Sequence, residues 1–271
     1  MFSKEELIKK INEAEAIVIG AGAGLSAAAG FEYGGKTFLD NFQYMHEKYG
    51  YNDMYTAGFH PFDTLEEMWG YWAKMIYLNR YKDNGKALYK RLFSMVKDKN
   101  YFVITTNVDH EFQKAGFDKK RLFYMQGDYG LFQCSRACHD KTYDNEDLVK
   151  EMIKKTINYR IPSSLIPRCP KCNAPMTTNL RCDDLFVQDK GWYEAKKRYD
   201  CFLNENKHKK VLFLELGVGY STPVWIKYPF IEMTFKNKKA TYICIDKGYI
   251  NIPSVIKKQS IAINEPIQNL I

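Results

Sequence analysis

The amino-acid sequence predicts an α/β fold in which a doubly wound parallel sheet carries an inserted small module. Continuous apolar runs alternate with segments of helical period, a pattern typical of strands buried on both faces of a parallel sheet and of the helices that connect them. A glycine-rich turn directly follows the first apolar run, and two close cysteine pairs interrupt the alternation later in the chain. We therefore predict a main domain over 1–127 and 185–271 and a module over 128–184.

Ser3 and Glu6 have the spacing of a capping box, which predicts a helix near the start of the sequence. The predicted strands are 16–19, 101–105, 122–125, 211–216 and 241–245. Glu215 is the one charged residue within these runs. Helical periodicity begins after Thr64, Gly85 and Gly191.

The composition indicates a folded globular protein, because 45% of the residues are hydrophobic and 27% are charged. The longest uncharged stretch, 16–31, is too short and too rich in glycine to span a membrane. The first residues lack the apolar core of a secretory signal. A cytoplasmic location without a membrane partner is therefore expected.

The formal charge of +8 raises the question of a nucleic-acid partner. The lysines are scattered along the chain with acidic residues near them, whereas nucleic-acid-binding proteins gather basic residues on one face. We therefore expect no nucleic-acid partner. The excess positive charge instead favours an acidic protein partner or the pyrophosphate of a dinucleotide.

The glycine-rich turn, 20–30, has the context of a dinucleotide-binding site, since a predicted strand precedes it and helix-favouring alanines follow. Glycine lets the backbone approach a pyrophosphate, and the N-terminus of the next helix offers unpaired N–H groups and a positive dipole end. A tight strand-to-helix turn also needs glycine for purely structural reasons. The turn alone leaves both interpretations open.

Gly22, Ala23, Gly24, Ser26 and Gly30 carry a resemblance to a known family. The segment resembles the GAGxSxxxG signature of sirtuins, which are NAD-dependent deacylases and ADP-ribosyltransferases. The resemblance implies that these residues bind NAD on a Rossmann-like domain.

The sequence departs from the sirtuin pattern directly after this signature. Sirtuins usually continue with I-P-D-F-R, whereas 31–35 reads FEYGG. The arginine and phenylalanine that help to position NAD in most of the family are missing, and Glu32 and Tyr33 are the candidates for lining the same space. The departure argues against ordinary deacylase activity.

Thr106, Asn107 and Asp109 follow the predicted strand 101–105, at the end where open α/β sheets place their ligands. The segment resembles the sirtuin T-x-N-x-D motif, which implies that the asparagine contacts the nicotinamide ribose and that the aspartate supports the pocket. Departure of nicotinamide builds positive charge on the ribose, and oriented amide and carboxylate groups stabilise that charge. Alternatively, Asn107 or Asp109 caps the next helix.

Gln126 stands at another predicted strand end, where sirtuins carry the histidine of a His-Gly pair. An amide does not titrate near pH 7, so Gln126 can orient the ribose of NAD but cannot accept its proton as the general base of deacylation. The run QGDYGLFQCSRACHDKTYDN resembles the macrodomain-linked microbial sirtuins, in which glutamine here accompanies protein mono-ADP-ribosylation. The alternatives are a degenerate sirtuin that only binds NAD, or a replacement base at His60 or His110.

Two close cysteine pairs lie within the predicted module, and the odd total of seven cysteines argues against a disulfide framework. The pairs are Cys134 with Cys138 and Cys169 with Cys172. Their spacing is consistent with one structural Zn²⁺ held by four thiolates in a ribbon, and sirtuins carry such a module at this point in the chain. His139 or Cys182 could replace one ligand, and a module that folds without metal is the remaining alternative.

The loop after the predicted strand 211–216 completes the expected NAD site. Gly217, Val218, Gly219 and Ser221 lie in a segment that loosely resembles the sirtuin G-T-S-L-x-V-x-P loop, which implies contacts with phosphate or ribose. Asp246 follows the next strand, where sirtuins usually have asparagine near the adenine ribose. A carboxylate there would accept from the ribose hydroxyls and repel a 2′-phosphate, which favours NAD over NADP. As a strand-end residue, Asp246 could equally serve only the turn.

The resemblance as a whole implies an NAD-dependent protein mono-ADP-ribosyltransferase that releases nicotinamide. Asn107, Asp109 and Gln126 are its expected catalytic residues, and Thr106 and Gln126 join the expected NAD contacts. Macrodomain-linked relatives modify a lipoyl carrier protein related to the glycine-cleavage H protein, which implies an acidic lipoyl carrier as substrate and a macrodomain hydrolase as a second partner. The other hypotheses are a sirtuin lysine deacylase, a free NAD glycohydrolase and a non-enzymatic NAD sensor.

Overall fold

The computed structural model describes residues 2–220 and 223–271, so Ser221, one of the expected NAD contacts, lies outside the described residues. The strands are β1 (Ala16–Ala21), β2 (Tyr101–Thr105), β3 (Leu122–Tyr124), β4 (Gly127–Cys134), β5 (Tyr143–Asp144), β6 (Met176–Leu180), β7 (Val211–Leu216), β8 (Thr241–Asp246) and β9 (Ser260–Asn264). Six of them form a fully parallel sheet in the order β3-β2-β1-β7-β8-β9. The predicted doubly wound α/β architecture is confirmed.

The segments of helical period after Thr64, Gly85 and Gly191 form helices, and the described residues contain further helices as well. The α-helices of the described residues are α1 (Lys4–Glu13), α2 (Ala23–Ala28), α3 (Gly35–Tyr49), α4 (Met54–Ala57), α5 (Leu65–Ile76), α6 (Ala87–Val96), α7 (Glu111–Lys114), α8 (Glu146–Lys155), α9 (Lys190–Asn206) and α10 (Lys227–Lys236). The capping box is present at α1, where Ser3 Oγ accepts from Glu6 N at 3.2 Å and the Glu6 carboxylate accepts from Ser3 N at 2.7 Å. Within the described part of the chain, no helix combines the length and the apolar character needed to cross a membrane.

The parallel sheet is covered on both faces, which explains why its strands are continuous apolar runs. In β1, Ile17 and Ile19 pack into one core with residues of α1, α2 and α6. Ala16 and Val18 pack into the opposite core with residues of α9 and α10. All residues of β1 are buried. The polar residues of the expected site therefore follow the carboxyl ends of these strands rather than interrupting them.

Glu215 places a carboxylate inside β7 and is fully buried. It accepts hydrogen bonds from Tyr242 Oη at 2.7 Å, from the Cys244 thiol at 3.3 Å and from Lys227 Nζ at the start of α10. Burial by itself would lower the pKa of Lys227, but the adjacent Glu215 carboxylate raises it. Because a buried charge is tolerated when it is paired and hydrogen-bonded, this cluster ties α10 to β7 and β8.

The described chain divides into two compact units. The first contains the parallel sheet and comprises the described residues up to Gly30, together with Gly85–Gln126 and Lys190–Ile271. The second comprises Phe31–Asn84 and Gly127–Asp189, and in it β4 pairs antiparallel with β5 and β6.

This division differs from the predicted boundaries mainly in the segment 31–84. The predicted boundaries place that segment in the main domain, and the division of the described chain groups it with the cysteine-containing unit. The physical reason is apolar packing within that unit: Trp69 of α5 lies against Phe132 of β4, with ring centroids 4.7 Å apart, and both side chains are buried. The module predicted over 128–184 falls within this second unit.

Candidate active site

The strand order places a topological switch point between β1 and β7. From β1 the chain continues through β2 and β3 on one side, and from β7 it continues through β8 and β9 on the other. In open α/β sheets, ligands bind at the carboxyl ends of the strands that flank such a point. The glycine-rich turn follows β1 and the second expected NAD loop follows β7. The structure therefore brings both segments to the same end of the sheet, where the carboxyl ends of the parallel strands lie.

The glycines of these two segments occur where the backbones touch. Gly24 N donates a hydrogen bond to Gly217 O at 2.9 Å. A Cβ on Gly22 would lie 2.7 Å from Gly217 O, and a Cβ on Gly24 would lie 2.7 Å from Gly217 Cα. Gly217 also has a φ of +60°, in the left-handed region that favours glycine. Close packing of the two loops is thus one physical reason for these three glycines.

Ala23 and Ser26 lie within α2, and Gly30 lies just beyond its end. Ala23 is exposed at the start of the helix, and Ser26 is buried in its middle. Gly30 has a φ of +91°, and its N–H bonds to Ala27 O at 3.0 Å. Gly30 therefore terminates the helix, as glycine commonly does. Of the residues in the glycine-rich signature, Gly30 lies at the far end of α2 from the turn after β1.

Asn107 follows β2, and its side-chain amide is held from two directions. Nδ2 donates to Gly22 O at 2.9 Å and to the Tyr89 hydroxyl at 3.2 Å. The backbone N–H donates to Thr105 Oγ1 at 3.0 Å. Asn107 is 9% exposed, and its Oδ1 accepts no hydrogen bond from the described residues. The amide NH2 is therefore used internally, while the amide oxygen remains as an acceptor.

Asp109 connects the start of α7 to the same hydrogen-bond network. Its Oδ1 accepts from Glu111 N at 3.0 Å, at the start of α7, and its Oδ2 accepts from Ser26 Oγ at 2.5 Å. Neither Asp109 nor Asn107 is the N-cap of α7, since that position is His110, whose side chain makes no capping bond; Asp109 Oδ1 instead binds the first N–H of the helix from the residue before the cap. Thr106, which directly follows β2, donates its backbone N–H to Ala21 O at 3.1 Å and continues the pairing of β2 with β1.

Tyr89 of α6 is a member of this network that the sequence analysis does not identify. Its hydroxyl lies 3.0 Å from Ser26 Oγ as well as accepting from Asn107. Burial raises the pKa of Tyr89 well above its ordinary value, and the Asp109 carboxylate adds to the effect. A tyrosine on the apolar side of a helix is usually interpreted as a core residue, and only the need of its buried hydroxyl for a partner indicates more.

Gln126 lies after β3, at the same carboxyl end of the parallel strands as Thr106 and Asn107. Tyr124, the last residue of β3, pairs with Thr105, and Met125 N donates to Thr105 O at 3.1 Å. The Gln126 side chain is half-buried and forms no hydrogen bond within the described residues. Of the two alternative bases, His110 directly follows Asp109, whereas His60 belongs to the second unit.

The segment after β7 and the end of β8 contain the remaining expected NAD contacts. The Val218 side chain is buried in the core under the sheet, so it leaves only its backbone for a ligand. Gly219 is exposed, and a Cβ there would meet nothing within 4 Å. Asp246 is half-buried, and its Oδ1 accepts from Lys247 N at 2.8 Å, which fits the turn alternative and leaves Oδ2 out of that bond.

The four predicted cysteine ligands converge in the second unit. Their Sγ atoms all lie within 4.8 Å of one another, with Cys134 and Cys172 at 3.5 Å and Cys138 and Cys169 at 3.6 Å. Four thiolates around zinc at ~2.3 Å would be about 3.8 Å apart, so the arrangement fits a structural zinc site. Neither His139 nor Cys182 is part of the group.

The thiol pKa values are shifted in both directions: the pKa is lowered for Cys134 and Cys169, whereas burial and hydrogen bonds with the neighbouring thiols raise it for Cys138. Burial would raise the pKa of Cys134, but hydrogen bonds from the backbone of Cys138 and Arg136 and from neighbouring thiols outweigh it and lower the pKa to about 6. The Arg136 N–H contributes at 3.4 Å from Cys134 Sγ. A thiolate at neutral pH is the form that binds zinc.

Comparison with known proteins identifies similar sequences and similar folds. No protein-family model matches the sequence. A Staphylococcus aureus protein named "Protein ADP-ribosyltransferase" is 42% identical over 268 residues, which cover 98% of this chain and 85% of that protein. A Fusarium oxysporum f. sp. cubense protein named "Probable bifunctional ADP-ribose hydrolase/ADP-ribosyltransferase" is 29% identical over 238 residues, which cover 84% of this chain and 39% of that protein.

Among solved structures, Sir2Tm bound to a propionylated peptide has a TM-score of 0.61 at 17% identity, covering 97% of this chain and 93% of that chain. A Sir2 structure with a p53 peptide and NAD⁺ has a TM-score of 0.56 at 18% identity, covering 98% and 94%. The fold is therefore that of the sirtuins.

The bacterial relative defines the family within that fold. With 42% identity over 98% of its length, the chain belongs to the family of sirtuin-fold protein ADP-ribosyltransferases. The predicted enzyme class, an ADP-ribosyltransferase that uses NAD, is confirmed at this level.

Proposed function

We propose that the protein breaks the bond between nicotinamide and ribose in NAD and transfers the ADP-ribosyl group to a carboxylate of an acidic lipoyl carrier protein of the glycine-cleavage H type. The observation that carries this proposal is the presence of Gln126, an amide, at the sheet edge that also holds Asn107. A deacylase needs a base there, and a transferase with a carboxylate acceptor does not.

The reaction balances without a proton transfer. The electron pair of the broken bond leaves with the nicotinamide nitrogen, and the ribose carbon becomes electron-poor. The acceptor carboxylate is already deprotonated at neutral pH and forms the new C–O bond directly. Asn107 stabilises the electron-poor ribose, Asp109 holds the surrounding groups, and Gln126 orients the ribose.

The described residues that we assign to NAD lie at the end of, or in the segment directly after, β1, β2, β3, β7 and β8, with Gly30 at the far end of α2. The assigned residues are Gly22, Ala23, Gly24, Ser26, Gly30, Thr106, Asn107, Gln126, Gly217, Val218, Gly219, Ser221 and Asp246. The exposure of Ala23 and Gly219, the close packing of Gly22 and Gly24 against Gly217, and the switch-point position support this assignment. Gly30 contributes to the proposed NAD site by terminating α2.

Two observations support the proposed partners. The net charge of +8 is complementary to an acidic carrier, and such complementarity speeds encounter and favours the correct partner. The fungal relative is named for both an ADP-ribose hydrolase and an ADP-ribosyltransferase, and this chain covers only 39% of it. A separate macrodomain hydrolase that removes the modification is therefore the second partner that we propose.

The test is intact-mass analysis of candidate lipoyl carriers after incubation with the protein and NAD. We expect the mass of one ADP-ribosyl group on a lipoyl carrier, released nicotinamide in equal amount, and loss of the adduct in neutral hydroxylamine, which cleaves carboxylate esters. Asn107→Ala should slow the reaction by about 10²-fold, as removal of one preorganised polar contact does. Removal of acyl groups from lysine peptides in step with NAD consumption would instead identify a deacylase.

A further inference from the structure

Four buried polar groups of the first unit form a chain of hydrogen bonds with one direction. Asp109 is an acceptor as a carboxylate, so the single hydroxyl proton of Ser26 is committed to it at 2.5 Å. The contact of 3.0 Å between Tyr89 and Ser26 must then use the Tyr89 proton. Tyr89 is left with acceptor capacity, which the Asn107 NH2 fills at 3.2 Å.

This direction determines which way the Asn107 amide is turned. In the observed rotamer, Nδ2 faces two acceptors, Gly22 O and the Tyr89 oxygen. In the flipped rotamer Oδ1 would face a carbonyl oxygen and a hydroxyl whose proton is already committed. Flipping therefore loses two hydrogen bonds and places Oδ1 against the oxygens of Gly22 and Tyr89, so the network selects one orientation.

We propose that Tyr89 is a positioning residue of the transferase reaction, which fixes the Asn107 amide so that Oδ1 rather than Nδ2 faces the ribose carbon from which nicotinamide departs. The inference rests on the proposed function of the Asn107 site. A carbonyl oxygen presents negative partial charge and stabilises the electron-poor ribose carbon, whereas an NH2 group would oppose it.

The surroundings of Tyr89 support a fixed hydroxyl. The residue has no exposed surface, and its ring packs edge-on against Phe112 with centroids 5.0 Å apart. The ring therefore has no room to take the hydroxyl away from Ser26 and Asn107. Burial raises the pKa of Tyr89 well above its ordinary value, so the hydroxyl is protonated at neutral pH and donates to Ser26.

The first test is the Tyr89→Phe substitution, measured as nicotinamide release from NAD in the presence of the lipoyl carrier. We expect kcat to fall on the order of 10-fold to 100-fold with little change in the KM for NAD, because positioning rather than binding is lost. A raised KM with unchanged kcat would overturn the proposal. Tyr101→Phe is the matched control: Tyr101 is also buried, and its hydroxyl accepts the Asp118 N–H, 3.2 Å away, at the other end of β2.

A double-mutant cycle separates positioning from a general loss of stability. If Tyr89 acts through Asn107, then Tyr89→Phe should cause no further loss of kcat in the Asn107→Ala background. Multiplicative effects of the two substitutions would show that Tyr89 acts independently and would overturn the proposal. Thermal unfolding of each variant shows whether it is folded at the assay temperature.

A third measurement does not depend on turnover. In protein labelled with ¹⁵N at asparagine, the Asn107 NH2 signals are assigned by their loss in Asn107→Ala. We expect that one of its two protons exchanges with water distinctly faster in Tyr89→Phe, and that neither changes in Tyr101→Phe. Unchanged exchange in Tyr89→Phe would overturn the proposal whether or not the protein modifies a lipoyl carrier.

Discussion

Gly24 and Gly217 are in direct backbone contact, since the N–H of Gly24 donates to the carbonyl oxygen of Gly217 at 2.9 Å and a Cβ on Gly24 would lie 2.7 Å from Gly217 Cα. The turn after β1 and the loop after β7 thus behave as one surface rather than as two independent segments. A change in either glycine displaces both.

We expect Gly24→Ala to lower the free energy of unfolding by about 1–3 kcal/mol, the usual cost of overpacking, because the added methyl group meets backbone that cannot rotate away. The apparent affinity for NAD should fall with it, since both loops shift. Thermal unfolding with and without NAD checks this. Gly219→Ala is the control in the same loop, as its Cβ would meet nothing within 4 Å, and it should leave stability unchanged. Equal destabilisation by both substitutions would contradict the packing argument.

The purified protein should carry one zinc ion per chain, held by Cys134, Cys138, Cys169 and Cys172, because their Sγ atoms already lie within 4.8 Å of one another. Replacing Cys134 by Ser should remove the metal and lower the unfolding temperature by roughly 5–10 °C, since the metal contributes to folding directly. Cys182→Ser should retain full zinc content. Metal analysis that finds no zinc after gentle purification would exclude the site.

NAD should raise the unfolding temperature more than NADP does, because the Asp246 carboxylate would repel a 2′-phosphate. We expect a preference of about tenfold, which corresponds to about 1.4 kcal/mol. Asp246→Asn should reduce this preference and leave NAD binding largely intact. Equal stabilisation of the wild-type protein by the two nucleotides would remove Asp246 from the site and leave it only its turn function.

Gln126→Ala should weaken ADP-ribosyl transfer through loss of positioning. Gln126→His should not create an efficient deacylase, because the I-P-D-F-R elements that follow the glycine-rich signature of sirtuins are absent from 31–35. Parallel assays of transfer and of acyl-lysine removal test both statements. Robust deacylation by Gln126→His would show that the base alone separates the two reactions.

The sequence predicts the parallel sheet well because a strand buried on both faces must be apolar throughout. The bounds of β2 and β7 agree with the prediction, and β3 is one residue shorter. β9 was missed, since Ser260 and Asn264 at its ends make it resemble a loop. The antiparallel sheet of the second unit has short strands with one bulge, and its pairing depends on partners that a local pattern does not contain.

For the candidate site, motifs predicted which residues belong together but not how they interact. That Asp109 lies next to the start of a helix is local information and could be predicted, but the N-cap itself is His110, and Asp109 Oδ1 accepts from Glu111 N. The contact of Asp109 with Ser26 joins the loop after β2 to α2, which follows β1, and depends on tertiary packing. Tyr89 and the partners of Glu215 escaped prediction for the same reason, because a buried hydroxyl or carboxylate reveals its partner only once the helices are packed.

The parallel pairing of β1 with β7 has a consequence for how the chain acquires this structure. Ala16 pairs with Val211, so one side of the most central apolar strand has no partner until nearly four-fifths of the chain has been synthesised. Pairings this distant in sequence slow folding, and an apolar strand edge left open during that time invites association with other chains. The glycine contact that closes the loops after these two strands is thus among the last parts of the molecule to form, and a protein arrested during synthesis would have its cysteine pairs but no complete nucleotide site.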